Sequence, residues 1–353
     1  MQDTTKSVQD YYGKELSTSS DLKTNACCTA FEYPEKIKKI LSEIHDEVLI
    51  KYYGCGLTIP TDLKGLKMLD LGSGSGRDCY LASKLVGEDG HVIGVDMTDE
   101  QLAVANEHID YHTKKFGYEK ANVEFKKGEI EKLDQLNISE NSLDLIISNC
   151  VINLSTNKQK VLADCYKLLK QGGEMYFSDV YVDKRIPKDL AQDSVIYGEC
   201  LGGALYWNDF IHFSKKAGFT DPRVVEVAPI TIENKELEKK LKGYEFYSVT
   251  YRLFKLDELE GDCEDYGQAV IYKGTNPDYP NAFMLDQGHV FQTGKIEPVC
   301  GNTFLMLEKT RLKEHFEFIG SFDKHYGIFP GCGKENPFRG VHTKGASELG
   351  SCC

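Results

Sequence analysis

Residues 67–78 read Lys-Met-Leu-Asp-Leu-Gly-Ser-Gly-Ser-Gly-Arg-Asp, an apolar strand that runs into a glycine-rich turn and then into the start of a helix. An α/β sheet brings its backbone against a nucleotide-like ligand at such a place, because residues without a Cβ let the chain approach closely at the carboxyl edge. Gly76 comes one residue early for the dinucleotide fingerprint, which would need glycine or alanine at Arg77. That favours a cofactor without a pyrophosphate over a nicotinamide one. Outward from this stretch the patterns alternate. A helix is expected over 33–53, then helix 78–85, strand 91–96, helix 100–115, strand 122–126, strand 143–149, helix 157–170 closed by Gly172-Gly173, and strand 174–180. Short β-branched strands interleaved with helices predict an α/β fold, a doubly wound, mostly parallel sheet covered on both faces.

Two further loops strengthen the ligand reading. The second strand ends in Asp96, 20 residues after Gly76, the spacing at which one carboxylate accepts both hydroxyls of a ribose. The third is followed by Gly128-Glu129-Ile130-Glu131, placed to contact an adenine. The competing reading is a flavodoxin-like domain whose glycines only make a turn.

Composition narrows the partners. With 353 residues the chain has room for two to three domains at roughly 150 residues each. A formal charge of −13 argues against a polyanionic partner, since a nucleic-acid binder needs a concentrated basic face. The expected substrate is therefore a small molecule. The opening residues lack the apolar core of a secretory signal, and no apolar run of about 18 residues occurs, so a cytosolic protein is expected. In a reducing compartment most of the twelve cysteines are expected to be free thiols, some of them serving as ligands or nucleophiles.

Four segments are expected. Residues 1–60 form a helical extension with Cys27 and Cys55, and 61–208 the cofactor-binding domain. Residues 209–295 make a smaller α+β module, with a helix at 209–217 and strands at 224–232, 246–254, 268–272 and 282–291. Residues 296–353 hold one helix, 304–316, and a glycine-rich tail with Cys332, Cys352 and Cys353. An idle tail is the reading preferred for those last cysteines.

The stretch from Leu69 to Tyr80 resembles the first motif of class I methyltransferases. Three more stretches narrow the resemblance to the arsenite methyltransferases: Lys-Tyr-Tyr-Gly-Cys-Gly at 51–56, Ser-Asn-Cys-Val-Ile-Asn-Leu at 148–154, and Gly-Glu-Cys-Leu-Gly-Gly-Ala-Leu-Tyr-Trp at 198–207. The likeness runs from about residue 20 to 295, and the last two motifs are highly specific. It implies a Rossmann-like methyltransferase domain that binds S-adenosylmethionine through Gly72, Ser73, Gly74, Asp96, Met97, Ile130 and Glu131, with Tyr53, Gln101 and Asn149 as further contacts. It also implies that Cys150 and Cys200 hold trivalent arsenic during transfer, that Cys55 is a third ligand or redox partner, and that Cys27, or its neighbour Cys28, joins a relay. Glutathione or thioredoxin then restores the thiols, and the substrate is arsenite or its glutathione conjugate. No metal beyond arsenic is implied, and nothing demands more than a monomer.

Plainer readings stand beside these. Cysteine is among the most buried residues, so Cys79 and Cys165, inside amphipathic helices, are read as core. Cys150 ends a strand and so reaches the carboxyl edge, the ligand edge, and Cys55 lies between glycines in a loop. A zinc site finds no supporting cysteine or histidine spacing. Tyr53 and Trp207 are candidate walls of the site, Tyr53 the stronger. The rival functions are methylation of an organic ring such as a quinone or sterol, and a non-catalytic protein that binds soft metals through thiols.

Overall fold

The computed structural model describes residues 33–52, 57–198, 200–232 and 234–332. Cys27, Cys28, Tyr53, Cys55, Cys352 and Cys353 lie outside the described residues.

The first described elements are two short helices, α1 (Glu35–Leu41) and α2 (Asp46–Ile50), rather than one. His45 divides them: its Nδ1 accepts the Glu47 N–H and caps the second helix. The central sheet follows as β1 (Lys67–Leu71), α3 (Arg77–Val86), β2 (His91–Asp96), α4 (Asp99–Glu107), α5 (Ile109–Phe116) and β3 (Val123–Lys127). It continues with β4 (Leu143–Asn149), α6 (Lys158–Leu168) and β5 (Leu169–Val182). β5 runs through Gly172 and Gly173, where the sequence suggested a helix end. Strands β1 to β5 are mutually parallel in the order β3-β2-β1-β4-β5. Because β1 lies between β2 and β4, the chain reverses its winding direction there, and a cleft opens at the carboxyl ends on either side.

Past β5 come α7 (Lys188–Ala191), α8 (Ser194–Gly198), β6 (Leu205–Tyr206), α9 (Trp207–Ala217), β7 (Arg223–Pro229), α10 (Lys235–Lys240) and β8 (Phe246–Phe254). β8 pairs antiparallel with β5 and β7 antiparallel with β8, so both extend the main sheet. The sheet thus crosses the boundary drawn at residue 208. The reason is visible in β8, Phe-Tyr-Ser-Val-Thr-Tyr-Arg-Leu-Phe, which is buried along nearly all its length and finds its partner about 70 residues upstream. Pairing at that separation leaves no local signal.

The remaining strands make a separate small module: β9 (Glu264–Asp265), β10 (Gln268–Tyr272), β11 (Ala282–Asp286), β12 (His289–Gln292), β13 (Ile296–Val299), β14 (Phe316–Ile319) and β15 (Gly327–Ile328), with helix α11 (Gly301–Glu308). β10 sits between β13 and β14, and Phe283, Phe291, Phe304 and Phe316 fill the core beneath. The module spans the boundary drawn at 295, since β13, α11 and β14 close on β10 from beyond it.

The two faces of the main sheet carry distinct cores. Cys165 lies in one beside Leu162 and Phe177, and Cys79 in the other beside Tyr80 and Leu81. Both are fully buried, as the core reading expects. No described helix is long and apolar enough to cross a membrane.

Candidate active site

The glycine turn after β1 is built by a carboxylate. Asp96, at the end of β2, accepts the Gly74 N–H through Oδ2 at 2.9 Å and the Thr98 N–H through Oδ1 at 2.8 Å. Burial pushes its pKa up while these donors pull it down. Gly72 has φ +72°, and a Cβ there would stand 2.6 Å from Val151 Cγ1 and closer still to Cγ2. The turn therefore presses on the residue that follows Cys150. A glycine is required both for the left-handed backbone and for the space.

One cleft on this edge is lined by all nine of the described residues expected to hold the cofactor, and by Cys150 and Val151. Two polar atoms in its wall, Ser73 Oγ and Gln101 Oε1, are buried with no hydrogen-bond partner among the described residues. Such groups cost free energy unless a ligand satisfies them.

Residues that the sequence did not single out complete the wall. Tyr52 accepts a hydrogen bond from Asn149 Nδ2 at 2.5 Å, and the Arg77 guanidinium lies 3.4 Å from its ring centroid. Arg77 also pairs with Asp78 at 2.7 Å, and Asp78 accepts from Asn149 Nδ2. Asp70 is driven up to about 8 by burial, with the nearby Asp78 adding to the rise. The Cys79 thiol donates to it at 3.2 Å. These are charges inside a loop motif, where sequence patterns register glycine and little else.

Cys150 sits immediately after β4, where its N–H bonds the Ser178 carbonyl of β5. Three contacts fold α8 and the segment after it onto the turn that follows Cys150. The Tyr197 hydroxyl donates to the Leu154 carbonyl at 2.9 Å, the Cys200 thiol donates to the Cys150 carbonyl at 3.4 Å, and Gly203 lies so close to the Asn153 carbonyl that a Cβ would collide with it. Asn153 is held in turn by its N–H to Asp179 Oδ2 at 2.9 Å and by its amide to the Val180 carbonyl. The Gly-Gly pair of the Cys200 motif therefore lets two backbones touch. The Lys158 amine donates to the Ser155 carbonyl at 2.8 Å, and burial lowers it to about 8 despite Asp179, Glu131 and Cys200 nearby.

Among the described residues five non-glycines have positive φ: Asp62, Asn137, Asn141, Cys150 (+58°) and Cys200 (+62°). Asn and Asp adopt that conformation readily, cysteine does not. Both cysteines expected to hold arsenic, Cys150 and Cys200, are thus held in a sparsely populated backbone state, a feature that gathers at functional sites. Cys150 is disulfide-bonded, whereas Cys79, Cys165, Cys263, Cys300 and Cys332 are free thiols. Trp207 is half exposed at the start of α9, its ring against Tyr206.

Comparison with known proteins fits this edge. A methyltransferase domain matches residues 62–218, and a domain of unknown function matches residues 259–330. The arsenite methyltransferase of Aquipseudomonas alcaligenes is 57% identical over 99% of this chain and 99% of its own. The chain belongs to the arsenite methyltransferase family. The human arsenite methyltransferase is 46% identical over 88% of this chain and 82% of its own. The crystal structure of an arsenic(III) S-adenosylmethionine methyltransferase from Chlamydomonas reinhardtii superposes with a TM-score of 0.82 at 50% identity, covering 84% of this chain and all of that one. For a member of this family, the orphaned Ser73 and Gln101 atoms and the paired N–H acceptors of Asp96 fit S-adenosylmethionine, whose ribose, amino and carboxylate groups supply donors and acceptors.

Proposed function

We propose that the chain transfers the methyl group of S-adenosylmethionine to thiol-bound trivalent arsenic, arsenite first and methylarsenite next, as a detoxification reaction. The observation that carries this reading is the meeting of Cys150 and Cys200 at the carboxyl edge, with Cys150 in the wall of the cleft that family resemblance assigns to the cofactor. S-adenosylmethionine supplies an electrophilic methyl on a sulfonium with a neutral leaving group.

Trivalent arsenic is thiophilic, by analogy with the softness rule for metal ions, and bonded to sulfurs it keeps a lone pair directed away from them. That pair is the nucleophile, so no proton need move in the step and positioning does most of the work, worth about 7–11 kcal/mol. Cys150 and Cys200 hold the substrate, with Cys55 as third sulfur or redox partner and Cys27 or Cys28 in the relay. Asp96, Ile130 and Glu131 hold the nucleoside, Gly72, Ser73, Gly74, Met97, Gln101 and Asn149 the rest of the cofactor, and Tyr53 walls the site. Forming the As–C bond as the S–CH₃ bond breaks raises arsenic by two oxidation units. A pair of cysteine thiols returns the two electrons by becoming a disulfide, which glutathione or thioredoxin reduces. A disulfide at Cys150 is consistent with that cycle. The reading places a monomer in the cytosol acting on arsenite or its glutathione conjugate.

Replacing Cys150 or Cys200 by serine is expected to abolish methylated arsenic in a time course of arsenic speciation while cofactor binding by calorimetry persists. Full activity in both variants would refute the arrangement. Incubation with arsenite, glutathione and labelled cofactor separates this reaction from methylation of an organic ring.

A further inference from the structure

The small carboxyl-terminal module holds three thiols that methyl transfer does not use. Cys263 precedes β9, Cys300 precedes α11 and Cys332 follows β15. The β9–β15 pairing brings the first and last together, since the Phe329 N–H bonds the Cys263 carbonyl and the Cys332 N–H bonds the Phe329 carbonyl. Asn302 ties the Cys263 segment to the start of α11, where Cys300 stands: its side-chain oxygen accepts the Glu260 N–H and its amide donates to the Glu260 carbonyl, each at 2.8 Å, and the Cys263 thiol feels both other sulfurs. Cys300 is 1% exposed, while Cys263 and Cys332 are partly open to solvent. Around Cys300 the Thr303 hydroxyl lies 3.3 Å from its sulfur and an Arg223 nitrogen 4.0 Å. Arg223 is itself buried and anchored by Asp221 at 2.6 Å and Asp286 at 3.2 Å. The contact with Cys263, the Thr303 hydroxyl and the Arg223 charge hold the Cys300 thiol well below its ordinary range, and Cys263 is raised in turn.

This cluster is remote from the cleft. β7 is antiparallel to β8, which is antiparallel to β5, so β7 runs in the same sense as the parallel strands and Arg223 at its start lies toward their amino edge. β7 is also the last strand of the sheet.

We infer that Cys263 and Cys300 form a second arsenic site, a dithiol that takes a monosubstituted trivalent arsenical, R–As(OH)₂. The inference rests on the arsenic reading above. Two sulfurs match the two exchangeable hydroxyls of such a compound, whereas arsenite would need a third. The three sulfurs do not close into a compact trio: among the described residues the sole trio of metal-ligating atoms within 4.8 Å of one another is His45, Glu47 and His108. A divalent cation is disfavoured by the guanidinium against Cys300. Arsenic instead forms a neutral complex, and the thiolate of Cys300 attacks first. Two As–S bonds form as two As–O bonds break. One hydroxyl leaves as water with the Cys263 proton, the other as hydroxide that takes a proton from solvent, and no oxidation state changes. The monomethylated trivalent product of the first transfer is such a compound, so the module retains it away from the cleft.

The test uses the full reduced chain and phenylarsine oxide as probe. Trypsin places Cys263 in the peptide 256–273 and Cys300 in 296–309, and mass spectrometry is expected to find these two joined through one phenylarsenic unit. Cys263→Ser, a partly exposed position, is expected to lose that species and one bound equivalent of probe with the melting temperature kept. Cys332→Ser is expected to retain both. Unbridged peptides in the wild type, unchanged stoichiometry in Cys263→Ser, or loss of the bridge in Cys332→Ser would each overturn the assignment. The readout needs no turnover, so failure of this site and failure of the methyl-transfer reading show in different experiments.

Discussion

Gly72→Ala tests how the cofactor turn is coupled to the arsenic-binding turn. An alanine at φ +72° carries about 1–2 kcal/mol of left-handed backbone cost. Its methyl also overlaps both Cγ atoms of Val151, and overpacking of that kind costs about 1–3 kcal/mol. The sum, about 2–5 kcal/mol, is divided between fold stability and affinity for S-adenosylmethionine. Only the second contribution depends on Val151. Trimming Val151 to alanine removes the two colliding methyls and leaves the backbone cost and a 2.9 Å contact with the Val151 Cβ, so the double variant is expected to be less damaged than the sum of the singles by about 1–2 kcal/mol. Urea denaturation of all four proteins, with and without the cofactor, and calorimetric titration of the cofactor measure this cycle. Because Val151 follows Cys150, methyl transfer to arsenic should recover along with binding. Additivity of the two substitutions to within about 0.5 kcal/mol would show that the turn does not rest on Val151, and the steric argument would fail.

Two further predictions concern stability. His112 is 1% exposed, its Nδ1–H donating to the His108 carbonyl at 2.7 Å and its Nε2 accepting the His45 N–H at 3.2 Å, a geometry that only the neutral ring satisfies. Burial lowers its pKa from 6.5 to about 4. With the folded value below the unfolded one, the stabilisation is fully present above about pH 6.5 and is lost as pH falls toward 4, roughly 3 kcal/mol across the window. His112→Phe keeps the stack on Tyr80 and is expected to flatten the denaturation midpoint between pH 7 and 5; an unaltered slope would exclude His112 as its source. Glu174 is fully buried between Arg252 at 2.6 Å and Arg311 at 2.5 Å, and these guanidiniums hold it below the carboxylate range although burial pushes it up. Glu174→Gln leaves two buried cations short of a charge and is expected to destabilise by about 3–5 kcal/mol in thermal or urea unfolding. A loss below about 1 kcal/mol would mean that solvent already screens the group.

Much of this molecule is legible before folding. The glycine turn, Asp96 and the Ile130–Glu131 pair declare themselves because a ligand edge demands particular residue types at fixed offsets from strands. Breaks inside helices are less so: residues 33–53 and 100–115 keep one apolar period through His45 and His108, although the backbone interrupts itself at both. The register of β8 on β5 and the closure of β10 by strands from beyond residue 295 were not legible, because partners so distant in the chain are chosen by burial of whole faces.

By itself, then, the chain's order of residues determined the α/β class, the cofactor edge and which cysteines deserved suspicion, since each follows from local periodicity or from a motif a few residues long. Tertiary structure alone decided that Cys200 meets Cys150, that both adopt left-handed backbones, and that Tyr52 and Asp78 wall the cleft with Arg77 bracing them. It also decided that the segments carrying Cys263, Cys300 and Cys332 gather in one place. The physical reason is common to all of these: a contact between residues tens of positions apart is set by which surfaces can pack without voids or orphaned polar groups, and that condition exists only once the whole chain has closed.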